Sequence, residues 1–354
     1  MCQEMRFVKV LSSFLMAMFL TVSPCQASVI ITGGDSLCSP SDSVKARIVR
    51  RGIIIAGEPP CVRAMEPFSG TKARAAEYAR VVNSYKAAFG DSVTVYCMPV
   101  PTAVEFYCPD TVREKTRRER PVLDAMFNSL AADVVPVDIY DVLKEHSGEN
   151  IYSRTDHHWA PLGAYYAAMK FAAAAEVPFA DLSTYDKKIV RNYVGSMYTF
   201  TKDIAVKNSP EDFVYYVPRG VDYSTTFINY KLGRNNKVIG ESEPQEHDFF
   251  IKYPDGSRGA YCTFMGGDSR TVKVVTGVKN GRRLMVLKDS YGNAVPGYLF
   301  HSFEEIHVLD FRYFTKSVRA YVKDNEITDV LFANNLTHAC SLNTSKAYAE
   351  LLAR

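Results

Sequence analysis

The segment from Tyr152 to Trp159, Tyr-Ser-Arg-Thr-Asp-His-His-Trp, holds the residues best suited to acid–base chemistry. It contains the chain's single tryptophan and two of its seven histidines. A carboxylate that orients an imidazole forms half of a Ser-His-Asp site, and Asp156 stands two positions before His158. In an extended segment these two side chains share one face, and His157 takes the other. We predict that His158 is the base, that Asp156 orients it, and that His157 and Trp159 support them.

The nucleophile must come from elsewhere, and the chain offers five Asp-Ser pairs, at Ser36, Ser43, Ser92, Ser269 and Ser290. Ser36 lies close to the predicted mature terminus, where chains fray, and Ser43 lies in a Pro- and Ser-rich loop. Ser92 opens a strand, so it should face away from a site at the other end of that strand. Ser269 follows glycines suited to a tight turn and remains a candidate, although the strand before it is weak.

Ser290 has the most suitable context. It follows the apolar run Leu284 to Leu287 and precedes Gly292 and a helical pattern. A serine at such a strand-to-helix turn exposes its hydroxyl beside backbone N–H groups that can hold an oxyanion. Serine is also a favoured helix N-cap, and the two roles do not exclude each other. We therefore predict that Ser290 is the nucleophile.

Alternating helix and strand patterns place this turn in a sheet. Helical spacing covers residues 71–89, 113–130, 161–175, 292–303 and 315–322. Strand patterns cover 92–97, 134–139, 284–287, 306–309 and 330–333, and Pro136 makes 134–139 peripheral. Repeating βα units predict an α/β fold with a mostly parallel sheet and helices on both faces. Ligands of such sheets bind beyond the carboxyl ends of the strands.

Residues from about 181 to 260 have a different pattern, which predicts a β-rich insertion. Tyr and Phe are dense there, and short alternating runs are broken by Gly, Asn and Pro. Such aromatic side chains either stack on sugar rings or pack within short strands, and packing is the more common outcome.

The first 27 residues predict a signal peptide. Arg6 and Lys9 precede an apolar run, and small residues surround a cleavage site after Ala27. A lipoprotein that uses Cys25 is the alternative, but Pro24 fits it poorly. No later stretch approaches about 20 consecutive apolar residues. We predict a periplasmic or secreted protein in which residues 28–354 form a single domain.

Cysteine content and net charge bear on disulfide bonding and on the kind of binding partner. Cleavage after Ala27 leaves six cysteines, and Cys97 with Cys108 is the most local pair for a disulfide, with buried free thiols as the alternative. A net charge of +3 is too small to indicate a nucleic-acid partner. The motifs indicate no cofactor.

The Asp-His-His-Trp segment resembles the signature of the bacterial DHHW family. That family is similar to the periplasmic alginate O-acetyltransferase proteins, which are SGNH-hydrolase-like, with the Asp-x-His motif placed before the serine block. The order Asp156, His158, Ser290 matches this permuted arrangement. Further matching segments are Pro99–Glu105, Phe264–Gly267, Leu287–Asn293 and Asp310–Phe314. Lys288 replaces the glycine that typical SGNH enzymes have before Asp-Ser.

The resemblance implies a serine O-acetyltransferase or acetylesterase that acts on a polysaccharide outside the cytoplasm. A membrane-bound O-acyltransferase partner would supply the acetyl groups. The backbone N–H of Ser290 or Tyr291 would hold the oxyanion, with Gly267 or Asn334 as further candidates. Arg312 and Tyr313, at the end of the next strand, would line the same edge and contact the glycan.

Two alternatives from other classes remain. One is a metal-dependent phosphoesterase with Asp156, His157 and His158 as ligands, although alternation in an extended segment would separate His157 from the other two. The other is a glycan-binding protein with an inactive site, in which the aromatic insertion makes most of the contacts.

Overall fold

The computed structural model describes residues 45–354. The predicted signal peptide with its cleavage site, and the candidate serines Ser36 and Ser43, lie outside the described residues. The strands are β1 (Ala46–Ile48), β2 (Ile54–Ala56), β3 (Arg63–Met65), β4 (Thr94–Cys97), β5 (Val134–Pro136), β6 (Tyr185–Tyr193), β7 (Glu211–Pro218), β8 (Tyr223–Leu232), β9 (Val238–Glu241), β10 (Gln245–Glu246), β11 (Arg270–Thr276), β12 (Arg283–Lys288), β13 (Glu305–Asp310) and β14 (Asp329–Ala333).

The α-helices are α1 (Lys72–Phe89), α2 (Ala103–Tyr107), α3 (Arg120–Phe127), α4 (Tyr140–Glu145), α5 (Pro161–Ala174), α6 (Ser196–Thr201), α7 (Ile204–Lys207), α8 (Val318–Asp324), α9 (Leu336–Ala339) and α10 (Leu342–Ala353). Short 3-10 helices cover Arg50–Gly52, Gly90–Ser92, Asp110–Lys115, Leu182–Thr184, Arg234–Asn236, Ala260–Thr263, Ser290–Ala294 and Pro296–Tyr298. Within residues 45–354, no helix has the length and apolar character needed to cross a membrane.

One large sheet dominates this mixed α/β architecture. Strands β13, β12, β14, β4 and β5 lie side by side in that order and run parallel. The sheet continues past β13 with antiparallel strands: β11 pairs with β13, β8 pairs with β11, and β9 and β10 both pair with β8. The predicted parallel core is therefore present, with β5 at its edge. The sequence did not predict the antiparallel extension.

Helices cover both faces of the parallel part. In the register of β14 and β4, Phe332 lies opposite Cys97, and Leu331 lies opposite Tyr96, so Phe332 and Tyr96 point to different faces. The Phe332 ring lies 4.9 Å from Tyr85 of α1, and the Tyr96 ring lies 5.1 Å from Phe171 of α5. Burial on both faces explains why β12 is a continuous apolar run.

The parallel strands bring four candidate segments to one edge. The chain reaches Ser290 just after β12, Arg312 just after β13, and Asn335 just after β14. The loop after β4 leads to Thr102. Because the carboxyl ends of parallel strands meet at the same edge, these segments border one cleft.

Two predicted helices are interrupted. Residues 292–303 form short 3-10 helices instead of an α-helix, because Pro296 lacks an N–H and Gly292 allows a close approach. A Cβ added to Gly292 would lie 2.4 Å from the Cβ of Lys288. Residues 113–130 divide between a 3-10 helix and α3, because Pro121 fits only the first turn of a new helix.

Residues 181–260 contain β6 to β10. Strands β6 and β7 form a separate antiparallel pair, whereas β8 belongs to the large sheet. The aromatic side chains of Phe213, Phe227 and Tyr230 are buried. Packing is therefore their role, as opposed to stacking on an exposed ligand.

The cysteines do not pair as the sequence first suggests. Cys97 and Cys108 are both free thiols, and so are Cys262 and Cys340. Cys97 points into the core, where burial raises its pKa to about 12. Cys61 is disulfide-bonded.

The core around Phe332 gives a stability prediction. Its buried ring makes edge contacts with Tyr78, Tyr85 and Tyr348. Phe332→Ala should lower the free energy of unfolding in urea by about 3–5 kcal/mol, because it leaves a cavity. The control Leu342→Ala, at a side chain that is 47% exposed, should change it by less than about 0.5 kcal/mol. A loss below about 1 kcal/mol for Phe332→Ala would contradict this packing.

Candidate active site

The Asp-His-His-Trp segment forms a bent loop that is closed at both ends. Tyr152 and Trp159 face each other in an isolated antiparallel bridge, and both side chains are fully buried. The Tyr152 hydroxyl donates to the carbonyl of Pro101 (2.6 Å), and the Trp159 indole N–H donates to the carbonyl of Tyr291 (2.9 Å). The tryptophan thus ties the loop to the turn that carries Ser290.

The loop and the turn bring Asp156, His158 and Ser290 into one hydrogen-bonded chain. His158 Nδ1 lies 2.6 Å from Asp156 Oδ1, and His158 Nε2 lies 2.8 Å from Ser290 Oγ. Asp156 and His158 are buried, whereas Ser290 is partly exposed. This geometry lets an imidazole accept the serine proton while a carboxylate stabilises the resulting charge.

The second oxygen of Asp156 is held by the neighbouring chain. Oδ2 accepts the backbone N–H of Ser196 (2.7 Å). The approach is so close that a Cβ on Gly195 would lie 2.4 Å from this oxygen. Burial alone would raise the pKa of Asp156, but the charge and hydrogen bond of His158, with smaller contributions from His157 and Ser196, lower it well below its usual range. Asp156 is therefore ionised.

His157 does not lie on the opposite face, so the alternation prediction is wrong. The segment bends, and the rings of His157 and His158 lie 3.7 Å apart between centroids. His157 Nδ1 lies 2.6 Å from Ser196 Oγ, and its carbonyl accepts the Tyr291 hydroxyl. Burial and the neighbouring charge of His158 lower its pKa to about 4. His157 is therefore a neutral ring against His158.

Donor atoms of Asp156, His157 and His158 all lie within 4.8 Å of one another, so the three could in principle hold a metal ion. Each imidazole is already engaged, however. His158 uses Nδ1 with Asp156 and Nε2 with Ser290, and His157 uses Nδ1 with Ser196. A metal ion that binds His158 would have to replace its hydrogen bond to Asp156 or to Ser290.

A buried carboxylate, Glu211, supports the loop from β7. It accepts the backbone N–H groups of Arg154 (2.8 Å) and Thr155 (2.7 Å), and the Thr155 hydroxyl (2.6 Å). Buried backbone N–H groups need such partners because an unpaired group costs free energy. Glu211 thus fixes the backbone directly before Asp156.

Tyr261 supports the site from the 3-10 helix after residue 259. Its ring stacks on His158 with centroids 3.8 Å apart and planes 4° from parallel. Its hydroxyl donates toward the carbonyls of Ser290 (2.9 Å) and Tyr291 (3.1 Å). It therefore fixes the imidazole plane relative to the serine turn. Sequence reasoning missed Tyr261, Ser196 and Glu211, since no local motif marks them.

The serine turn is anchored through Asp289, which is fully buried. Its carboxylate accepts the N–H of Tyr291 (2.9 Å), the N–H of Asn335 (2.9 Å) and the Nδ1 proton of His338 (2.8 Å). Burial would raise the pKa of Asp289, but His338 and the other donors lower it. Burial would lower the pKa of His338, and its hydrogen bond with Asp289 outweighs this and raises it.

Of the predicted contact residues, Tyr291 lines the cleft, but its amide is not free, and Asn334, Gly267 and Tyr313 are not among the lining residues. The Tyr291 amide is bound to Asp289, which removes it as a free oxyanion donor. Asn334 is buried and accepts the hydroxyls of Tyr78 (2.6 Å) and Tyr348 (2.9 Å). Neither Gly267 nor Tyr313 lines the cleft among the described residues.

Arg312 lines the cleft, and its guanidinium group pairs with two carboxylates. It forms hydrogen bonds to Asp310 (2.6 and 2.8 Å) and an ion pair with Asp268 (3.0 Å). Buried Lys288 also pairs with Asp310 (2.8 Å). The lysine that replaces the usual glycine therefore belongs to a buried charge network that positions Arg312.

The cleft has a volume of about 340 Å³. Its walls come from the β3 end, α6, the loop after β4, and the turns after β12, β13 and β14. The lining residues are Ala64, Met65, Glu66, Thr102, Ala103, Val104, Asp156, His157, Phe200, Ser290, Tyr291, Arg312, Asn335, Thr337 and His338.

Of the Asp-Ser pairs in residues 45–354, Ser290 is the one hydrogen-bonded to His158. Ser92 lies exposed before β4, where its hydroxyl donates to the carbonyl of Phe89. The carbonyl of Ser269, just before β11, accepts the N–H of Tyr230.

The Asp289–His338 pair predicts a pH-dependent stability. The raised pKa of His338 means that its contribution is complete below its ordinary value of 6.5 and is lost as pH rises through the raised value. The lowered pKa of Asp289 keeps the carboxylate charged throughout that range. The difference in unfolding free energy between wild type and His338→Gln should therefore shrink from pH 5.5 to pH 9 in urea titrations. In an Asp289→Asn background the pH dependence should disappear, and a constant difference in both backgrounds would contradict the pairing.

Comparisons with known proteins agree with the resemblance in the sequence. The sequence model of the DHHW protein family matches residues 61–309. The comparison with curated proteins gave no match.

Three solved structures are similar to this chain to different degrees. A DHHW family protein from Eubacterium siraeum is 38% identical with a TM-score of 0.77, over 87% of this chain and 97% of that chain. Bacillus cereus PatB1 with a sulfonyl adduct is 19% identical with a TM-score of 0.64, over 85% and 99%. The O-acetyltransferase domain of Pseudomonas putida AlgJ is 12% identical with a TM-score of 0.45, over 88% and 99%. The PatB1 likeness concerns the fold alone, and the AlgJ likeness is too low for an argument. The family match and the Eubacterium siraeum structure show that the chain belongs to the DHHW family.

Proposed function

We propose that this protein is an exported serine O-acetyltransferase or acetylesterase that acts on a polysaccharide through Ser290, His158 and Asp156. The observation that carries the proposal is the unbroken hydrogen-bond chain from the buried Asp156 carboxylate through His158 to the partly exposed Ser290 hydroxyl. The permuted SGNH-like order, in which the Asp-x-His motif precedes the serine, is part of the same proposal.

In the first half of the reaction, Ser290 Oγ attacks the carbonyl carbon of an acetyl ester and its proton passes to His158 Nε2. The tetrahedral intermediate then collapses, the ester C–O bond breaks, and His158 returns the proton to the leaving alcohol. In the second half, His158 takes a proton from a sugar hydroxyl or from water, which attacks acetyl-Ser290 and releases the serine. Asp156 remains ionised throughout and stabilises the imidazolium.

The oxyanion would be held by the backbone N–H of Ser290. The Tyr291 amide donates to Asp289, so the turn offers the oxyanion the Ser290 N–H but not the Tyr291 N–H. Arg312, which lines the cleft, adds a positive charge on the same side as the strand ends. The substrate roles first expected for Tyr291, Gly267, Tyr313 and Asn334 are not part of this proposal.

Export places the acetyl donor outside the cytoplasm, where acetyl-coenzyme A is not present. A membrane-bound O-acyltransferase partner is therefore the proposed source of acetyl groups if the protein is a transferase. If water is the acceptor, the protein is an esterase and needs no such partner.

Acetate release from acetylated xylan and from 4-nitrophenyl acetate tests the proposal. Ser290→Ala and His158→Ala should each reduce kcat/KM at least about 10³-fold, because nucleophile and base act as a unit. Ser92→Ala is the matched control from another Asp-Ser pair and should retain wild-type activity. Full activity in Ser290→Ala would exclude the assignment.

The remaining classes give different outcomes in the same assay. Activity that a chelator abolishes and manganese restores would favour metal chemistry at Asp156, His157 and His158, whose donor atoms lie within 4.8 Å. Glycan binding without acetyl chemistry in the wild type would favour an inactive binding protein.

The tautomer of His158 gives a separate prediction. Asp156→Asn keeps the shape of the site but removes the acceptor for the Nδ1 proton, so kcat should fall about 10⁴-fold. A sulfonyl fluoride should label Ser290 in the wild type and much more slowly in Asp156→Asn, as measured by peptide mass spectrometry. PatB1, which has the same fold, has been solved with a sulfonyl adduct. Equal labelling rates would contradict the role of Asp156.

A further inference from the structure

The cleft beside Ser290 contains two polar groups that the acetyl chemistry does not use. Glu66, directly after β3, lines the cleft and reaches solvent, and it forms no hydrogen bond or ion pair within residues 45–354. His338, in α9, uses Nδ1 for Asp289 and leaves Nε2 without a partner among the described residues. A carboxylate and one imidazole nitrogen therefore remain available for hydrogen bonds in the same cleft.

The charged side chains that line the cleft differ in whether an ion pair compensates their charge. The positive charge of His338 is compensated by the Asp289 carboxylate 2.8 Å away. That of Arg312 is compensated by Asp310 and Asp268. Glu66 forms no ion pair within residues 45–354, and the positive charges of Arg51, His158 and His338 act on it from a distance. Groups of both signs of charge therefore face the cleft.

The electrostatic surroundings of Glu66 include both imidazoles. Partial burial raises its pKa, and the charges of His158, His338 and Arg51 oppose this rise, whereas Asp156 adds to it. The carboxylate is thus close enough to both rings to sense them, without contacting either. Glu66, Ser290 and His338 all line the same cleft, so a ligand bound there can meet all three.

An aromatic ring completes this part of the cleft. Phe200 of α6 lines the cleft, and its ring lies 5.6 Å from that of His157 between centroids. Arg51 lies on the outer side, 5.5 Å from the ring centroid. The exposed part of the ring offers an apolar surface to a ligand that carries both C–H and hydroxyl groups.

We propose that Glu66, His338 and Phe200 form a subsite that binds an uncharged sugar ring of a neutral glycan next to Ser290. The proposal rests on the proposed acetyl chemistry for its biological meaning. A sugar hydroxyl donates to the Glu66 carboxylate, and a neighbouring sugar hydroxyl forms a hydrogen bond with Nε2 of His338, which accepts when the ring is neutral and donates when the ring is protonated. The C–H face of the ring packs on Phe200.

Charge decides between classes of glycan. A uronate polymer would bring carboxylates toward Glu66, which forms no ion pair within residues 45–354, and like charges at short range repel. An amino sugar would bring a cation that Glu66 attracts, but the positive side chains of Arg312, in the cleft wall, and Arg51, beside Phe200, oppose it. An uncharged sugar forms hydrogen bonds with both Glu66 and His338 and meets no repulsion from either sign of charge.

Binding to the Ser290→Ala protein tests the subsite separately from catalysis. The probes are xylohexaose, cellohexaose and mannohexaose as neutral glycans, hexagalacturonate and hexamannuronate as anionic ones, and chitosan hexamer as a cationic one, each measured by calorimetry. At least one neutral probe should bind about tenfold tighter than every charged probe. Tighter binding of a charged probe, or no binding of any neutral probe, would overturn the proposal.

Substitutions then assign the contacts. In the same background, Glu66→Ala, His338→Gln and Phe200→Ala should each weaken the best neutral probe about tenfold. Glu66→Gln should narrow the gap between neutral and anionic probes, because it removes the repelling charge. Glu145→Gln, at an exposed position in α4 outside the cleft, is the matched control and should leave all affinities unchanged. Unchanged affinity in Glu66→Ala and in His338→Gln would exclude the subsite.

The two proposals can fail independently. If wild type does not cleave 4-nitrophenyl acetate, the acetyl chemistry is wrong, and the binding measurements still decide the subsite. If wild type cleaves this small ester but the substitutions leave glycan affinity intact, the chemistry stands and the subsite is wrong. Circular dichroism of each variant establishes that the fold is retained.

Discussion

The hydrogen bond between His158 Nε2 and Ser290 Oγ joins two parts of the chain that are far apart in sequence, and the rest of the site exists to hold its two ends in register. A shift of about 1 Å would break such a bond, because hydrogen bonds weaken steeply beyond about 3.2 Å. Each end has its own anchors: Glu211 and Ser196 hold the segment that carries His158, and the donors on Asp289 hold the turn that carries Ser290. Tyr261 and Trp159 then tie the two ends to each other.

This arrangement places several carboxylates in the interior, where an unpaired charge would cost several kcal/mol. The structure avoids this cost because each carboxylate is met by donors whose own positions matter. Asp289 accepts backbone N–H groups from two turns, and Glu211 accepts two from the loop before Asp156. These carboxylates therefore hold together segments that belong to different secondary-structure elements. Apolar side chains could fill the same volume, but they could not fix backbone N–H groups at set distances.

The sequence predicted the parts of the fold that depend on local pattern. The strand before Ser290 is a buried apolar run, and the turn after it lies at the carboxyl edge because parallel strands end together. The pairing of Asp156, His158 and Ser290 remains a functional prediction, although the structure places these residues together. The prediction of an α-helix after Ser290 was wrong. Tertiary contacts at Gly292 and the missing N–H of Pro296 outweigh the helical spacing of the apolar residues. The position of His157 was wrong because the loop bends where alternation requires an extended chain.

The sequence could not predict contacts between segments that are far apart in the chain and that no motif links. Ser196 and Glu211 come from residues 181–260, a stretch whose aromatic content suggested an appended β-rich element, yet both contact the loop that carries Asp156. Phe200, one helical turn after Ser196, lines the cleft from the same helix. Because one short helix both holds Asp156 and lines the cleft, a change in the cleft wall there would also move Asp156. Substrate range in this protein should therefore vary more easily through the loops at Glu66 and Thr337, which line the cleft without holding Asp156, than through α6.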